Sequence, residues 1–491
     1  MLFNSIEFLF IFLPIVFSVY FFLNKQKLVT LATGWLVIAS LYFYAYWKLD
    51  YLPLILISMI FNYSIGKTLS LDNLKFNKRF VMLLGISLNV LLLFYFKYFD
   101  FLISNINYVL HSDFNYMHLA LPLGISFFTF QQIAYVVDSY KGLTKEYDFL
   151  SYALFVTFFP QLIAGPIVHH GEMMPQFERL RNRFINHKNI MLGMFFIAIG
   201  LSKKILIADN FSVFVGEMFD NTSILSFWES WIASLSYTFQ LYFDFSGYCD
   251  MAVGIGYLFN ILLPQNFNSP YKADSIQDFW RRWHITLSRF LRDYIYIPLG
   301  GNRNGIFKTY RNLFYTFLIG GIWHGANWTF IIWGVLHGFA ICLYRFFSNI
   351  NLKIPRVINI IMTFSFINFA WVFFRAKSVA RAWSIIKSMF MQNGYSDLVI
   401  DKLRFSFQDG NIKMSLFLFI GTILLLFLPN SNELSHKIKP NFLCGIIVLV
   451  LLLISILQLS KFSEFLYFQF WRNITILKIS FNSPVDYEIC L

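Results

Sequence analysis

Charge is scarce in this chain of 491 residues. Asp, Glu, Lys and Arg together make up 13%, where soluble domains carry about 25%. With 57% hydrophobic and 21% aromatic residues, the shortage excludes a soluble globular protein. Cysteine is sparse too: Cys249, Cys342, Cys444 and Cys490 show no C-x-x-C spacing, and at least two lie in or beside apolar runs. Neither a disulfide framework nor a zinc site is indicated. No serine sits in a G-x-S-x-G elbow, which removes the hydrolase type of nucleophile. No His, Cys and Asp group has metal-ligand spacing, so no metal is expected. The first apolar run, about 8–23, has no basic residue before it and no A-x-A-like site after it. It is expected to stay as a helix and not to be cleaved as a signal.

What the chain has in quantity is apolar runs. They fall near 6–23, 28–47, 51–66, 80–98, 119–137, 190–207, 228–244, 312–347 (two helices), 356–374, 413–428 and 442–459. Each approaches the ~20 residues that carry a helix across a bilayer. The fold class is therefore all-α and polytopic, with about eleven to thirteen transmembrane or re-entrant helices. No internal repeat of the transporter kind is visible. Thirty-nine Lys plus Arg against 26 Asp plus Glu give a formal charge of +13. The basic residues gather between apolar runs, so they read as topology signals and contacts to membrane lipid, and no nucleic-acid partner is expected.

The first half obeys the positive-inside rule with the N-terminus outward. Lys25 and Lys27 follow the first run, Lys67, Lys75, Lys78 and Arg79 the third, and Lys141 and Lys145 the fifth, while 99–118 reads as a loop without Lys or Arg. The segment 150–168 breaks the alternation. A crossing there would place Arg179, Arg181, Arg183 and Lys188 outside. Its Pro160, Gly165 and Pro166 weaken a helix. A broken or re-entrant segment resolves both problems, and such backbone must be buried in protein or line a cavity. The run 251–263, with Gly254, Gly256 and Pro264, invites the same reading. After about residue 345 the loops assign no consistent sides, and 376–412 reads as polar or interfacial.

Two Trp-His pairs stand about forty residues apart, Trp283-His284 and Trp323-His324. An imidazole in an apolar span is costly and marks a candidate functional site. Residues 277–293 fit one helix of nearly five turns. Trp280, Trp283, His284, Leu287, Phe290 and Leu291 share a face at i, i+3, i+4, i+7 spacing. Arg282, Arg289 and Arg292 fall on another. Two readings compete for that second face: an interfacial helix with arginines on lipid phosphates, or arginines gripping an anionic donor. Around His324, Gly320, Gly321 and Gly325 leave room for a substrate to reach the ring. His337, in Leu-His-Gly, is either a structural hydrogen-bonder or the orienting partner of His324.

Asp244 and Asp250 are two carboxylates six apart in an apolar span. A buried Asp must be paired or neutral. Its partner is expected to be an arginine of the 281–292 tract, or a catalytic histidine that it orients. Gly300-Gly301-Asn302-Arg303 lacks the Lys-Ser/Thr ending of a phosphate loop and reads as a turn. Two histidines and arginines without a metal make transfer of an acyl group to a hydroxyl the economical chemistry, one imidazole taking the hydroxyl proton.

These tracts together resemble the membrane-bound O-acyltransferase family, in its bacterial alginate O-acetylation branch. The resemblance is carried by 2–9, 160–167, 242–248 and 263–267, and above all by Phe279-Trp280-Arg281-Arg282-Trp283-His284 through Asp293–Arg303, by Ile322-Trp323-His324-Gly325-Ala326-Asn327-Trp328, and by Trp371–Ala376. It covers roughly residues 1–470, a single membrane domain, and leaves 471–491 as a tail without assigned role. Cys249 stands where the branch usually has serine, and Arg289 where it has a small residue.

The resemblance implies two funnels, cytoplasmic and extracellular, meeting at a thin centre in a bacterial inner-membrane protein. It implies His324 as the essential catalytic residue and His284 as its second signature histidine. Arg281, Arg282, Trp283, Asp244 and Asn327 are then candidates for substrate binding. The implied donor is acetyl-CoA, with no tightly bound cofactor. The acceptor is an exported cell-surface polysaccharide, alginate-type or peptidoglycan, commonly reached through a partner with a Ser-His-Asp domain of the SGNH type. Alternatives are a D-alanyl transferase for teichoic acid and, from another class, a transporter of polymer or acyl carrier. Broken helices and intramembrane histidine would suit the transporter; it leaves the Trp-His-Gly tract and the arginines unexplained.

Overall fold

Helices account for every regular element in the described part of the chain. The computed structural model describes residues 1–71, 76–144, 148–221, 223–350, 354–390, 409–437, 442–459 and Leu466. The expected tail from 471 lies outside the described residues, as does 391–408 of the polar segment. Among the described residues six helices are long and apolar enough to span a membrane: Glu7–Lys25, Leu49–Ser70, Lys78–Lys97, His187–Asp220, Trp328–Ser348 and Arg356–Arg375. A bent pair, Leu416–Leu426 with Ser431–Lys437 at 56°, could make a seventh. Val29–Ala45 and Cys444–Leu457 are shorter apolar helices.

The remaining expected spans are helices as well, but more polar ones. Ile125–Tyr140 buries Ser126, Thr129, Gln131, Gln132 and Asp138. Polar groups are tolerated there because protein, not lipid, surrounds them and supplies partners. The Ser58 hydroxyl donates to Gln132 Oε1 at 3.1 Å, and Gln131 Nε2 donates to the Phe155 carbonyl at 2.8 Å.

The segment 150–168 is broken, as its prolines and charges require. Helix Phe149–Thr157 stops at Phe158 (φ −48, ψ 109), Phe159–Leu162 makes one turn, and helix His170–Glu178 begins after an extended stretch. Residues 152–168 are all buried. Freed backbone groups find side chains: Phe159 N–H donates to Ser40 Oγ at 3.2 Å and Ile167 N–H to Thr286 Oγ1 at 3.0 Å.

Two expectations fail. The run 251–263 is no re-entrant loop. Helix Phe227–Leu258 runs unbroken for 32 residues, started by a capping box of Ser226 and Glu229. Its glycines serve close packing against helix His187–Leu201. A Cβ on Gly247 would lie 2.8 Å from the Gly200 carbonyl oxygen, and one on Gly254 would lie 2.7 Å from that of Gly193. The supposed loop 99–118 contains helix Phe99–Leu110. Its Asp100 carboxylate accepts from the backbone N–H of Met117 and His118 at 2.8 and 3.0 Å, folding the following chain back on it.

Side-chain contacts sort the helix ends into two layers. At the Lys97 end, Tyr98 bonds Ile322 O, Trp328 Nε1 bonds Asn105, Asn327 bonds Lys377 O, and Arg375 pairs with Asp220. At the opposite end, Asn189 bonds Asn260, Gln176 bonds Leu262 O, and Arg289 forks onto Glu172.

Candidate active site

The tract 277–293 is not one helix. Helix Ile276–Arg282 ends, Trp283 is extended (φ −101, ψ 128), His284 adopts the left-handed conformation (φ 43, ψ 55), and Ile285–Leu291 resumes before a π-helical turn at Arg292–Tyr296. A non-glycine residue at positive φ costs about 1–3 kcal/mol and needs bracing. Asn266 supplies it: its Oδ1 accepts from Thr286 N–H (3.1 Å) and Thr286 Oγ1 (2.9 Å), while its backbone oxygen accepts from Ile285 N–H (3.0 Å). The expected burial survives the break. Trp280, Trp283, His284, Leu287, Phe290 and Leu291 are all buried.

The break turns His284 inward, edge-to-face with Phe245 at 4.9 Å. Its Nδ1 lies 3.2 Å from Asn266 Oδ1. That oxygen already accepts from Thr286, so Nδ1 carries the proton and Nε2 the lone pair. Nε2 is buried without a hydrogen-bond partner among the described residues.

His324 is the last residue of helix Ile306–His324. Its ring is walled by Trp323 (5.0 Å), Trp333 (5.1 Å) and Phe374 (5.1 Å). Trp323 also lies against His284 at 6.5 Å, so one indole joins the two histidines. Of the three histidines gathered here His324 is a half-buried residue, whereas His284 and His337 are at 1% and 0%. Gly321 and Gly325 do not leave substrate room. A Cβ on Gly321 would meet Phe330 O at 2.6 Å and Gly334 Cα at 2.7 Å, and one on Gly325 would meet the Phe330 ring. Gly321 lets helices Ile306–His324 and Trp328–Asn349 pack backbone to backbone, and Gly325 seats the Phe330 ring.

His337 accepts from Trp280 Nε1 through Nδ1 at 3.1 Å. Trp333 stands between it and His324, 4.5 Å from one and 5.1 Å from the other. The structural alternative fits that placement.

The expected partners of the aspartates are wrong. Asp244 pairs with Lys204 at 2.6 Å, which also reaches Asp209 at 2.9 Å, and Asp250 pairs with Lys203 at 2.6 Å and accepts from Ser431 at 2.8 Å. Among the described residues neither arginine nor histidine pairs with them, because one turn of the neighbouring helix brings two lysines against helix Phe227–Leu258. The arginines face the other layer. Arg281 is exposed, Arg282 bonds Asp278 at 2.8 Å, and Arg292 bonds Asp293 at 2.6 Å. Trp283 is buried among Phe267, Phe279 and Trp371. Asn327 caps helix Trp328–Asn349, accepting from Thr329 N–H at 3.1 Å and donating to Lys377 O at 3.0 Å.

Sequence reasoning missed three groups. Lys97 is buried at the end of the His324 helix. Its signal was a lysine at the outward end of an apolar run, against the charge rule. Asn266 braces the break at His284, and no spacing rule reveals that. Tyr294 donates to Asp138 at 2.9 Å with His169 Nδ1 3.0 Å away; burial and the Asp138 carboxylate hold its phenol above the ordinary value.

Known proteins identify the family. A model of the membrane-bound O-acyltransferase family matches residues 17–382. A peptidoglycan O-acetyltransferase of Helicobacter pylori is 47% identical over 96% of this chain and 98% of its own length. The probable alginate O-acetylase AlgI of Pseudomonas aeruginosa is 40% identical over 79% of this chain and 75% of its own. A teichoic acid D-alanyltransferase of Bacillus subtilis is 29% identical over 52% of this chain and 69% of its own. The helical membrane fold and these matches lead to one conclusion: the chain is an acyltransferase and belongs to the membrane-bound O-acyltransferase family.

Proposed function

We propose that this enzyme carries acetyl groups across a bacterial inner membrane for O-acetylation of peptidoglycan. The observation that carries the reading is His324, a half-buried residue at a helix end whose imidazole is walled by Trp323, Trp333 and Phe374. In that role it takes the proton of an acceptor hydroxyl as the oxygen adds to a thioester carbonyl. Collapse of the adduct breaks the carbon–sulfur bond, and the imidazolium returns its proton to the leaving thiolate. The products are an acetyl ester and a free thiol. His284, with its lone pair on a buried Nε2, stands on the donor side of Trp323.

The donor in this reading is acetyl-CoA, entering from the layer that holds Arg281 and Arg282, since guanidinium groups suit phosphate. The acceptor hydroxyl belongs to the exported polysaccharide or to a serine of an SGNH-type partner that reloads the acetyl group. Peptidoglycan is preferred to alginate because the match to the protein named for it is closer, 47% over 96% of the chain against 40% over 79% and 36% over 96% for two alginate O-acetylases.

The test replaces His324 with Ala, verifies membrane insertion, and measures base-labile acetate on isolated muropeptides. Wild-type cells should carry it and His324→Ala cells should lose it while polymer export continues. Undiminished acetate in the variant overturns the catalytic role. Lost export would favour a transporter, and acetate found only on a uronate polysaccharide would move the acceptor to the alginate type.

A further inference from the structure

A helix end leaves its last carbonyls without intrahelical donors, and at membrane depth water is not there to take them. Helix Ile306–His324 ends with Gly325 extended (φ −167, ψ 153), not in the left-handed cap that would return a backbone N–H. The donors come from another helix. Tyr98 hydroxyl donates to Ile322 O at 2.7 Å, and the Lys97 ammonium donates to Trp323 O and, at 3.3 Å, to His324 O. Lys97 is itself 4% exposed, lies 3.4 Å from Ser126 Oγ and sits 5.8 Å from the Trp323 ring centre. Three consecutive carbonyls at the end of one helix are thus tied to two consecutive residues that finish another.

We infer that Lys97 is a positioning residue for His324, holding the two peptides that set where the imidazole stands. The inference rests on the reading of His324 as the acid–base of acyl transfer. An ammonium at the carbonyl end of a helix meets its negative pole, and its several N–H donors serve two carbonyls at once. A neutral chain of the same length would fill the space and leave both carbonyls short of a donor. A shift of about 1 Å in a reacting group costs on the order of a hundredfold in rate, so a loosened helix end is enough to silence the ring. The same ammonium fixes Trp323, the indole shared by His324 and His284.

The experiment compares full-length wild type, Lys97→Met, Lys97→Arg and His324→Ala in membranes. One readout is base-labile acetate on the cell-envelope polysaccharide, normalised to folded protein by size-exclusion chromatography. The other is the rate at which diethyl pyrocarbonate modifies His324, followed by peptide mass spectrometry. Lys97→Met should lower normalised acetate by about tenfold or more and change the His324 modification rate several-fold, leaving the buried His284 and His337 unmodified. Lys97→Arg, which keeps the donors, should recover part of both. An unchanged modification rate in Lys97→Met, or acetate falling only in proportion to folded protein, overturns the inference. Acetate retained in His324→Ala would defeat the catalytic reading alone, since the modification rate reports ring placement without any turnover.

Discussion

His284 carries two costs at once, a left-handed backbone and a buried Nε2 with no partner among the described residues. Both persist because Asn266 over-determines the break, and such strain gathers at functional sites. Buried charges on helix Phe227–Leu258 are handled by pairing. Lys204 and Asp244 are 1% and 2% exposed and 2.6 Å apart, with Leu466 N–H donating to the second carboxylate oxygen at 2.9 Å. Removing one partner of such a pair strands a buried charge, at about 3–5 kcal/mol. Lys204→Met should therefore melt well below wild type in a detergent thermal scan. Adding Asp244→Asn should restore part of the loss, since the amide keeps an acceptor for Leu466 and carries no charge. Equal melting of single and double variants would assign the pair no such role.

Helix packing in the centre depends on backbone contact between His187–Leu201 with its continuation and Phe227–Leu258. Small residues at helix crossings let backbones approach closely in membrane proteins. A Cβ on Gly247 would meet not only Gly200 O but also Lys203 Cβ at 3.2 Å, whereas one on Gly216 would meet nothing within 4 Å. Gly247→Val should abolish recovery of folded protein in size-exclusion chromatography, and Gly216→Val should leave it near wild type. Element positions were largely legible, because apolar runs mark helices wherever they fall. Two kinds of detail were not. Glycine in 251–263 looks the same in sequence whether it breaks a helix or seats one against a neighbour. The break at Trp283-His284 is imposed from outside by Asn266, while every residue from 277 to 293 fits the helical period. Periodicity found the buried face correctly, since His284 points inward on either side of the break. It could not find the turn, nor the lysines across from Asp244 and Asp250, because those are tertiary pairings.

At the scale of the whole molecule, the charge rule assigned sides to the first half and failed after about residue 345. The contacts give the reason. Arg375 and Lys377 pair with Asp220 at 3.0 and 3.1 Å, and Arg381 donates to carbonyls of Met218, Phe219 and Ser223. These cations hold helix ends together and sit in the same layer as Lys97 and His324. Discounting them, the arginine tract and Lys141 fall in the opposite layer, and one orientation satisfies both halves: the Lys97 layer outward. A single cysteine tests it in a background lacking Cys342, Cys444 and Cys490. Asp113 and Asn302 are both exposed and belong to opposite layers. Asp113→Cys should react with a membrane-impermeant maleimide in intact cells, and Asn302→Cys only after the membrane is opened. That outcome puts the His324 end of its helix toward the exterior and the arginines toward the cytoplasm, the polarity an exporting acyl transfer needs. The reverse labelling would place Arg281 and Arg282 outside, where acetyl-CoA does not occur, and would sink the proposed direction of transfer.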